Sequence, residues 1–169
     1  LRKYMSPSVS LDPDKPNKLE HHYILFRYAE ILLNYAEAMN EWKGPDAMAE
    51  GCPLTAREAL NQVRNSADMK AVTATGTEFT EKVRNERRIE LAFEGHRFYD
   101  IRRWKIAGTD EVRNIYGVKI TGSDGSFSYE KVLLRQMYWD DKMYLFPYPQ
   151  NEVYMNPNLT QNPGWVGDK

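Results

Sequence analysis

The sequence FTEKVRNERRIELAFEGHRFYDIRRW, residues 79–104, sets the constraints that the rest of the chain has to meet. On a helix that advances about 100° per residue, its large apolar side chains gather on one side. They are Phe79, Val83, Ile89 and Phe93. Such a stripe predicts a helix that faces a hydrophobic core. We expect this helix to break after Gly95 and a shorter one to continue through Trp104 to Ala107.

Three glutamates fall in the middle of the same apolar stripe, and many arginines lie close to them in the sequence. A carboxylate that faces a core is costly unless it is paired and hydrogen-bonded. We therefore predict a partly buried lattice of ion pairs that fixes how this helix packs on its neighbours. The predicted lattice consists of Glu86, Arg87, Glu90, Glu94, Arg97 and Arg103.

Two further helices are predicted before this segment. Residues 23–42 are apolar around most of a helical circumference, which predicts a helix packed on several sides and ended by Gly44-Pro45. A narrow polar strip runs along it, and we expect this strip to be the solvated face. The strip consists of Arg27, Glu30, Asn34, Glu37 and Glu41. A second helix is predicted from Thr55 to about Ala67, so that the two form an antiparallel pair of the tetratricopeptide kind.

The C-terminal part of the chain follows a different pattern. Apolar and polar residues alternate over residues 112–134 around a Gly/Ser/Asp turn, which predicts a small β-hairpin. Residues 135–169 form an aromatic tail with four prolines, for which we expect no regular helix. The predicted organisation is a single mainly α region over residues 1–169, with a helical core at about 23–107, irregular loops and the hairpin.

Composition narrows the function classes. The chain has 169 residues, of which 41% are hydrophobic and 28% charged, and its net charge is −1, so no footprint for nucleic acid is present. No apolar run approaches the ~20 residues of a membrane span. The adjacent histidines at 21 and 22 are more typical of an exposed helix start than of a metal ligand pair, and Cys52 is alone. We expect no metal site, no cofactor and no catalytic residue.

Three segments carry a resemblance to a known family. ERRIELAFEGHR, residues 86–97, followed by YDIRRW, residues 99–104, closely resembles the signature of the SusD/RagB family. RYAEILLNYAEAMNE, residues 27–41, resembles the helix pair of the same family. The closing segment YLFPYPQNEVYMNPNLTQNPGW, residues 144–165, resembles the family's C-terminal end, with Tyr148 in place of the usual Ile.

This resemblance implies a fold and a role. Members of the family are non-catalytic, nutrient-binding lipoproteins on the outer-membrane surface of Bacteroidetes, and they hand glycans to a TonB-dependent transporter of the SusC type. Their scaffold is built from tetratricopeptide-like helix pairs. Members are longer than this chain, so we expect it to be a C-terminal portion whose lipid anchor lies in an N-terminal region absent here.

Ligand residues do not follow from the resemblance, and only chemistry suggests candidates. A sugar binder needs exposed aromatic rings beside hydrogen-bonding side chains. Trp42 and the run Tyr138, Trp139 and Asp140 fit that description, although the same rings could instead pin loops to the core. Trp104 and Trp165 lie within the family segments, which favours structural roles for them.

Two alternative functions stay open at this point. A tetratricopeptide-like module for protein–protein interaction fits the helix pair, but the chain has no second copy at a 34-residue period. A carboxylate-based glycoside hydrolase is suggested by the many glutamates, whose catalytic pair would have to converge at about 5–10 Å. The glutamates instead follow single helices with arginines nearby, so we expect a binding protein and not an enzyme.

Overall fold

The computed structural model describes residues 3–4, 6–10, 12–17, 23–123 and 125–165. The two adjacent histidines lie outside the described residues. The chain divides into two compact units: a first unit, residues 1–94, and a second unit, residues 95–169. The predicted fold class, mainly α with a small β-hairpin, is confirmed.

The first unit is built from three helices. They are α1 (Tyr28–Lys43), α2 (Ala56–Asn65) and α3 (Gly76–Glu90). Helix α1 packs against both others, and a core of short apolar side chains fills the space between the helices. Its fully buried members include Leu33, Ala36, Ala59, Leu60 and Phe79. Thr55 begins α2 with a capping box, in which its side chain and that of Glu58 each bond the other's backbone N–H.

The predicted extent and environment of the first helix were partly wrong. Arg27 has extended backbone angles and serves as the N-cap, so residues 23–27 precede the helix. Tyr28 and Ile31 are 69% and 53% exposed, so this side of α1 is not covered within the described chain. The polar strip is the solvated face only in part: Glu30 is buried and Asn34 bonds to Arg87 of α3, whereas Glu41 is exposed.

The end of α3 also differs from the prediction. The helix stops at Glu90, and residues 91–95 form turns in which Phe93 adopts a left-handed conformation with φ of 66°. Within the turns Leu91 is buried and Phe93 is 66% exposed, and Ile89, which still belongs to α3, is 62% exposed. The predicted stripe was therefore right for Phe79 and Val83 and wrong for Ile89 and Phe93.

The second unit combines short helices with the hairpin. Its elements are α4 (His96–Arg103), α5 (Asp110–Arg113), β1 (Asn114–Ser123), β2 (Ser126–Gln136), a 3₁₀ helix (Asp141–Tyr144) and α6 (Gln150–Met155). Helix α4 thus ends before Trp104 and does not reach Ala107. The expectation of no helix in the tail was wrong for α6, because Pro149 lies at its N-cap, where proline's missing N–H costs nothing.

The hairpin is regular and amphipathic. Its strands pair antiparallel, with Ile120 opposite Tyr129 and Tyr116 opposite Leu133, and a register shift lies between Ile115 and Tyr116. Side chains opposite one another share a face of the sheet, so these pairs form one apolar face. All four residues are 47–69% exposed within the described chain.

Candidate functional site

A cluster of charges holds the C-terminal end of α3. Arg27 donates to Glu90 Oε1 at 2.5 Å, to Glu94 Oε2 at 2.7 Å and to the Glu90 carbonyl at 2.5 Å. Lys3 pairs with Glu94 and donates to the carbonyls of Glu90 and Ala92 at 2.7 and 3.1 Å. Cations are favourable beside the unpaired carbonyls at a helix C-terminus, so two side chains distant in sequence stabilise this end.

The protonation of this cluster is fixed by its hydrogen bonds. Burial alone would raise the pKa of Glu94, but the bonds from Arg27 and Lys3 outweigh it and lower the pKa below the ordinary carboxyl value. Burial likewise opposes the charge of Arg27, and the bonds to Glu94 and Glu90 raise its pKa. Both pKa shifts favour the charged forms of Glu94 and Arg27.

The middle of α3 is held by two more charged residues. Glu86 and Arg87 are only 6% and 4% exposed. Glu86 accepts from Arg64 at 2.5 Å. Arg87 donates to Asn34 Oδ1 at 2.5 Å and lies 3.9 Å from Glu37. These contacts explain why the polar strip of α1 faces α3: it supplies partners for charges that α3 buries.

The other two residues of the predicted lattice lie in the second unit. Arg103 forms two contacts of 2.8 Å with Asp100 Oδ1, and Asp100 is buried. Arg97 is half-buried on the same helix, α4. Glu86, Arg87, Glu90 and Glu94 belong to the first unit.

Of the candidate sugar-binding residues, Trp42 is the one in the first unit. It lies near the end of α1, its side chain is 64% exposed, and the Lys43 ammonium lies 4.7 Å from its ring. An exposed indole beside a donor is the arrangement that a sugar face requires.

The structure brings Tyr138, Trp139 and Asp140 together in the second unit but gives them different environments. Tyr138 is 71% exposed, and its hydroxyl lies 3.4 Å from Asp140. Trp139 is half-buried, packs edge-on against Tyr144 at 4.8 Å, and lies so close to Gly108 that a Cβ there would meet its ring at 2.8 Å. The packing of the Trp139 ring therefore holds this loop in place, and the neighbouring Tyr138 ring is the one exposed to solvent.

Sequence analysis missed an aromatic cluster next to these residues. Arg102 lies 3.6 Å from the Phe98 ring centroid, 5.4 Å from that of Trp139 and 5.8 Å from that of Phe146. Phe98 and Phe146 are 41% and 59% exposed. The spacing of Phe98 and Arg102, one helical turn apart, was a signal for their contact, but nothing in the sequence indicated that residue 146 joins them.

A groove of about 410 Å³ lies in the first unit, between α2 and residues 69–71. Its wall includes Arg57, whose guanidinium binds Asp46 and the carbonyls of Val72 and Ala74. The hydrogen bond from Arg57 lowers the pKa of Asp46. The groove is lined by amide and aliphatic side chains and contains no aromatic ring, so it lacks a stacking surface for a sugar.

Metal-ligand clusters and membrane-spanning helices are both absent from the part of the chain that the structure describes. Within it, no group of three or more His, Cys, Asp or Glu side chains could hold a metal ion. None of its helices combines the length and the apolar character that a membrane crossing demands.

Comparisons with known proteins agree on one family. The model of the SusD family matches residues 1–165. SusD-like protein P2 of Formosa agariphila is 34% identical over an alignment of 150 positions, which covers 85% of this chain and 26% of that protein. SusD-like protein P38 of the same organism is 33% identical over an alignment of 173 positions, which covers 96% of this chain and 27% of that protein.

A solved structure gives the same result. The crystal structure of a SusD-like protein from Bacteroides fragilis matches with a TM-score of 0.69 and 36% identity, over 85% of this chain and 26% of that one. The chain thus spans about a quarter of the length of the relatives it matches. With a family model that matches nearly every residue and relatives above 30% identity, the chain belongs to the SusD family.

Proposed function

We propose that the protein captures glycans at the surface of the outer membrane, without cleaving them, and delivers them to a SusC-type TonB-dependent transporter. Membership of the SusD family is the observation that carries this proposal. The lipid anchor and the transporter contact are proposed for the whole protein. The relatives that this chain matches are about four times as long as the part that it covers.

The exposed aromatic side chains support a glycan as the ligand. Trp42 and Tyr138 are 64% and 71% exposed, and each lies beside a charged side chain, Lys43 and Asp140 respectively. Ring faces pair with the C–H faces of sugars, while neighbouring charged groups bond to hydroxyls. We propose Trp42, Tyr138 and Asp140 as carbohydrate contacts, and Trp139 as the residue whose packing holds the loop that carries Tyr138.

The state of the carboxylates supports binding over hydrolysis. A glycosidase needs a carboxylic acid whose pKa is raised so that it can protonate the leaving group. Glu86 is paired with Arg64, and Glu90 and Glu94 share Arg27. The pKa of Glu94 is lowered and not raised. These glutamates hold helices together and are poorly suited to proton transfer.

A binding assay on the full-length protein tests the proposal. The protein is incubated with a panel of polysaccharides and oligosaccharides, and bound and free sugar are both sized by chromatography. We expect ligand to be retained and recovered at its original length. Release of shorter sugars would overturn the non-catalytic reading. Absence of retention for every glycan would favour the protein-interaction module instead.

Variants in the same assay locate the contacts. Trp42→Ala and Tyr138→Ala should each weaken retention several-fold, because each removes an exposed ring. Trp139→Ala should weaken it only through the loop that Trp139 pins, so its effect should be accompanied by a lower melting temperature. Tyr154→Ala is a matched control, since Tyr154 is 64% exposed on α6, away from the proposed residues in sequence. Co-purification of the tagged protein with an outer-membrane transporter tests the delivery step.

A further inference from the structure

We propose that residues 91–94 are a latent turn of α3, which Lys3 and Tyr4 hold in a non-helical form and which joins the helix when these two residues leave. We call Lys3 and Tyr4 the strap. The strap, the end of α3 and the turn all lie within the first unit. The inference concerns a conformational switch and does not depend on the proposed glycan ligand.

The sequence of the turn favours a helix. Leu91 and Ala92 are among the strongest helix formers. Gly95 follows, and its φ of 84° is the left-handed conformation with which many helices end. Phe93 opposes this preference, because its φ of 66° has the wrong sign for a helix. A non-glycine residue is strained in that conformation, so contacts from elsewhere have to hold it.

The strap supplies such contacts. The Lys3 ammonium donates to the carbonyls of Glu90 and Ala92 at 2.7 and 3.1 Å. The Tyr4 hydroxyl donates to the Phe93 carbonyl at 3.0 Å. Two neighbouring side chains therefore bond to three backbone carbonyls at the end of α3 and in the turn that follows it.

The position of the Lys3 ammonium distinguishes the turn from a helix. On a helix, residues 90 and 92 are about 200° apart around the axis, so their carbonyl oxygens lie on opposite sides of it. An ammonium bonded to both would have to lie on the helix axis, where the backbone leaves no space. A helix would also need the Glu90 carbonyl for the Glu94 N–H, and Lys3 already donates to that oxygen. The strap therefore binds the turn and not the helix, and such a difference shifts the equilibrium between the two forms.

Amide hydrogen exchange tests this switch on the full-length protein. Lys3→Met combined with Tyr4→Phe keeps the apolar atoms of the strap and removes its donors. Among the described residues the Phe93 N–H donates no hydrogen bond, whereas in a helix it would donate to the Ile89 carbonyl. We expect the protection factor of the Phe93 amide to rise about tenfold in the double variant, which corresponds to a helical turn formed about nine-tenths of the time. Mass spectrometry with electron-transfer fragmentation measures it at single residues.

The sign of the change separates the switch from a strap that only stabilises the turn. If the turn has no helical alternative, removing its contacts loosens it, and the protection of the Phe93 amide falls or stays the same. Either result would overturn the proposal. The amides of Leu33 and Ala36, in the core helix α1, report whether the variant is folded. If their protection falls as well, Tyr4→Phe alone removes a single donor, and it must still raise the protection at Phe93.

Two further variants test whether the strap and the conformation of residue 93 are coupled. Phe93→Gly in the double variant should cancel most of the rise, because glycine adopts the left-handed conformation without strain and is a weak helix former. Lys15→Met is the matched control: Lys15 is exposed in the segment before α1, no contact of its side chain is described, and the protection at Phe93 should not change. An undiminished rise in the presence of Phe93→Gly, or an equal rise in Lys15→Met, would overturn the switch.

Discussion

Arginines of the two units, Arg27 and Arg64 in the first and Arg102 in the second, are held in different ways. In the first unit, Arg27 and Arg64 bind carboxylates, and their partners Glu94 and Glu86 have side chains only 8% exposed. In the second unit, Arg102 lies against aromatic rings and donates to backbone carbonyls. Charge buried between helices needs an opposite charge, whereas a loop rich in rings and free carbonyls can hold a cation without one.

The two units also differ in the interactions that hold each of them together. The first unit has a core of fully buried aliphatic and aromatic side chains, and its ion pairs lie around that core. The second unit has few buried apolar residues among those described, such as Ala107 and Val153, and its tail is fixed by bonds such as those from Trp165 Nε1 to the carbonyls of Lys142 and Leu145. Stability should therefore be more sensitive to apolar truncation in the first unit.

The sharpest test of this contrast is to truncate one phenylalanine in each unit. Phe79 is fully buried, and Phe79→Ala should lower the free energy of unfolding by about 3–5 kcal/mol, because it removes apolar contacts and leaves a cavity. Phe127 is 64% exposed, and Phe127→Ala should change it by less than about 0.5 kcal/mol. Urea titration monitored by circular dichroism measures both. Equal losses would contradict the contrast.

The ion-pair cluster predicts a pH-dependent effect. Glu94→Gln leaves Lys3 without a carboxylate and leaves Arg27 with Glu90 alone, and it should cost about 2–3 kcal/mol at pH 7. Because the pKa of Glu94 is lowered in the folded state, its stabilisation is complete above the ordinary carboxyl pKa of about 4.3 and is lost as pH falls through the lower folded value. The difference in unfolding free energy between wild type and variant should therefore shrink below about pH 4.

Glu81→Gln serves as the control for that measurement. Glu81 is exposed on the same helix, α3, so the substitution removes a charge without removing a described ion pair. We expect a change within about 0.5 kcal/mol. A loss as large as that of Glu94→Gln would show that helix charge, and not the cluster, is responsible.

Packing around Trp139 tests how the second unit is held. Gly108→Ala would place a Cβ 2.8 Å from the Trp139 ring, so the ring has to move. We expect a loss of about 1–2 kcal/mol and a changed near-ultraviolet circular dichroism spectrum. The control is Ala107→Gly, which changes the neighbouring residue by removing a buried methyl and adds no bulk near the ring. Gly125→Ala is unsuitable, because Gly125 has φ of 81° and an alanine there would be strained for a different reason. An unchanged spectrum for Gly108→Ala would show that the ring does not depend on this contact.

The smallest effect concerns the turn after α3. Phe93 has φ of 66°, a conformation that glycine adopts without strain, and its side chain is 66% exposed. Phe93→Gly should therefore raise the free energy of unfolding by about 0.5–1 kcal/mol, while Phe93→Ala keeps the strain and should not. A loss in Phe93→Gly would show that the exposed ring has contacts that matter more than the strain.

Helical periodicity predicted the elements well where burial follows one face. Phe79 and Val83 in α3 and Leu60 in α2 are buried on the sides that the stripes indicated. Periodicity failed for Phe93, which was assigned to the core by continuing the helix through a left-handed residue. It also failed for Ile89, which lies within α3 but on a side of the helix that the described chain does not cover. Nothing in the composition of residues 86–95 marks that turn.

The environment of polar residues was harder to predict. The strip on α1 was interpreted as solvated because charged strips usually are. That was wrong for Asn34 and Glu37, which contact the Arg87 that α3 buries, whereas Glu41 is exposed. Pairing between Arg27 and Glu94, which are 67 residues apart, depends on tertiary structure alone. The same holds for the contact between the Phe98 and Phe146 rings, which are 48 residues apart in the sequence.

The docking of Lys3 offers a chemical readout of the end of α3. All three protons of its ammonium are used, by the carbonyls of Glu90 and Ala92 and by the Glu94 carboxylate. In acylation the amine nitrogen attacks the reagent's acyl carbon and displaces its leaving group, and a nitrogen surrounded by these three partners has to leave them before it can react. Lys3 should thus be labelled more slowly than Lys119, whose side chain is 64% exposed, and mass spectrometry of labelled peptides would report the opening of this end in the unmutated protein.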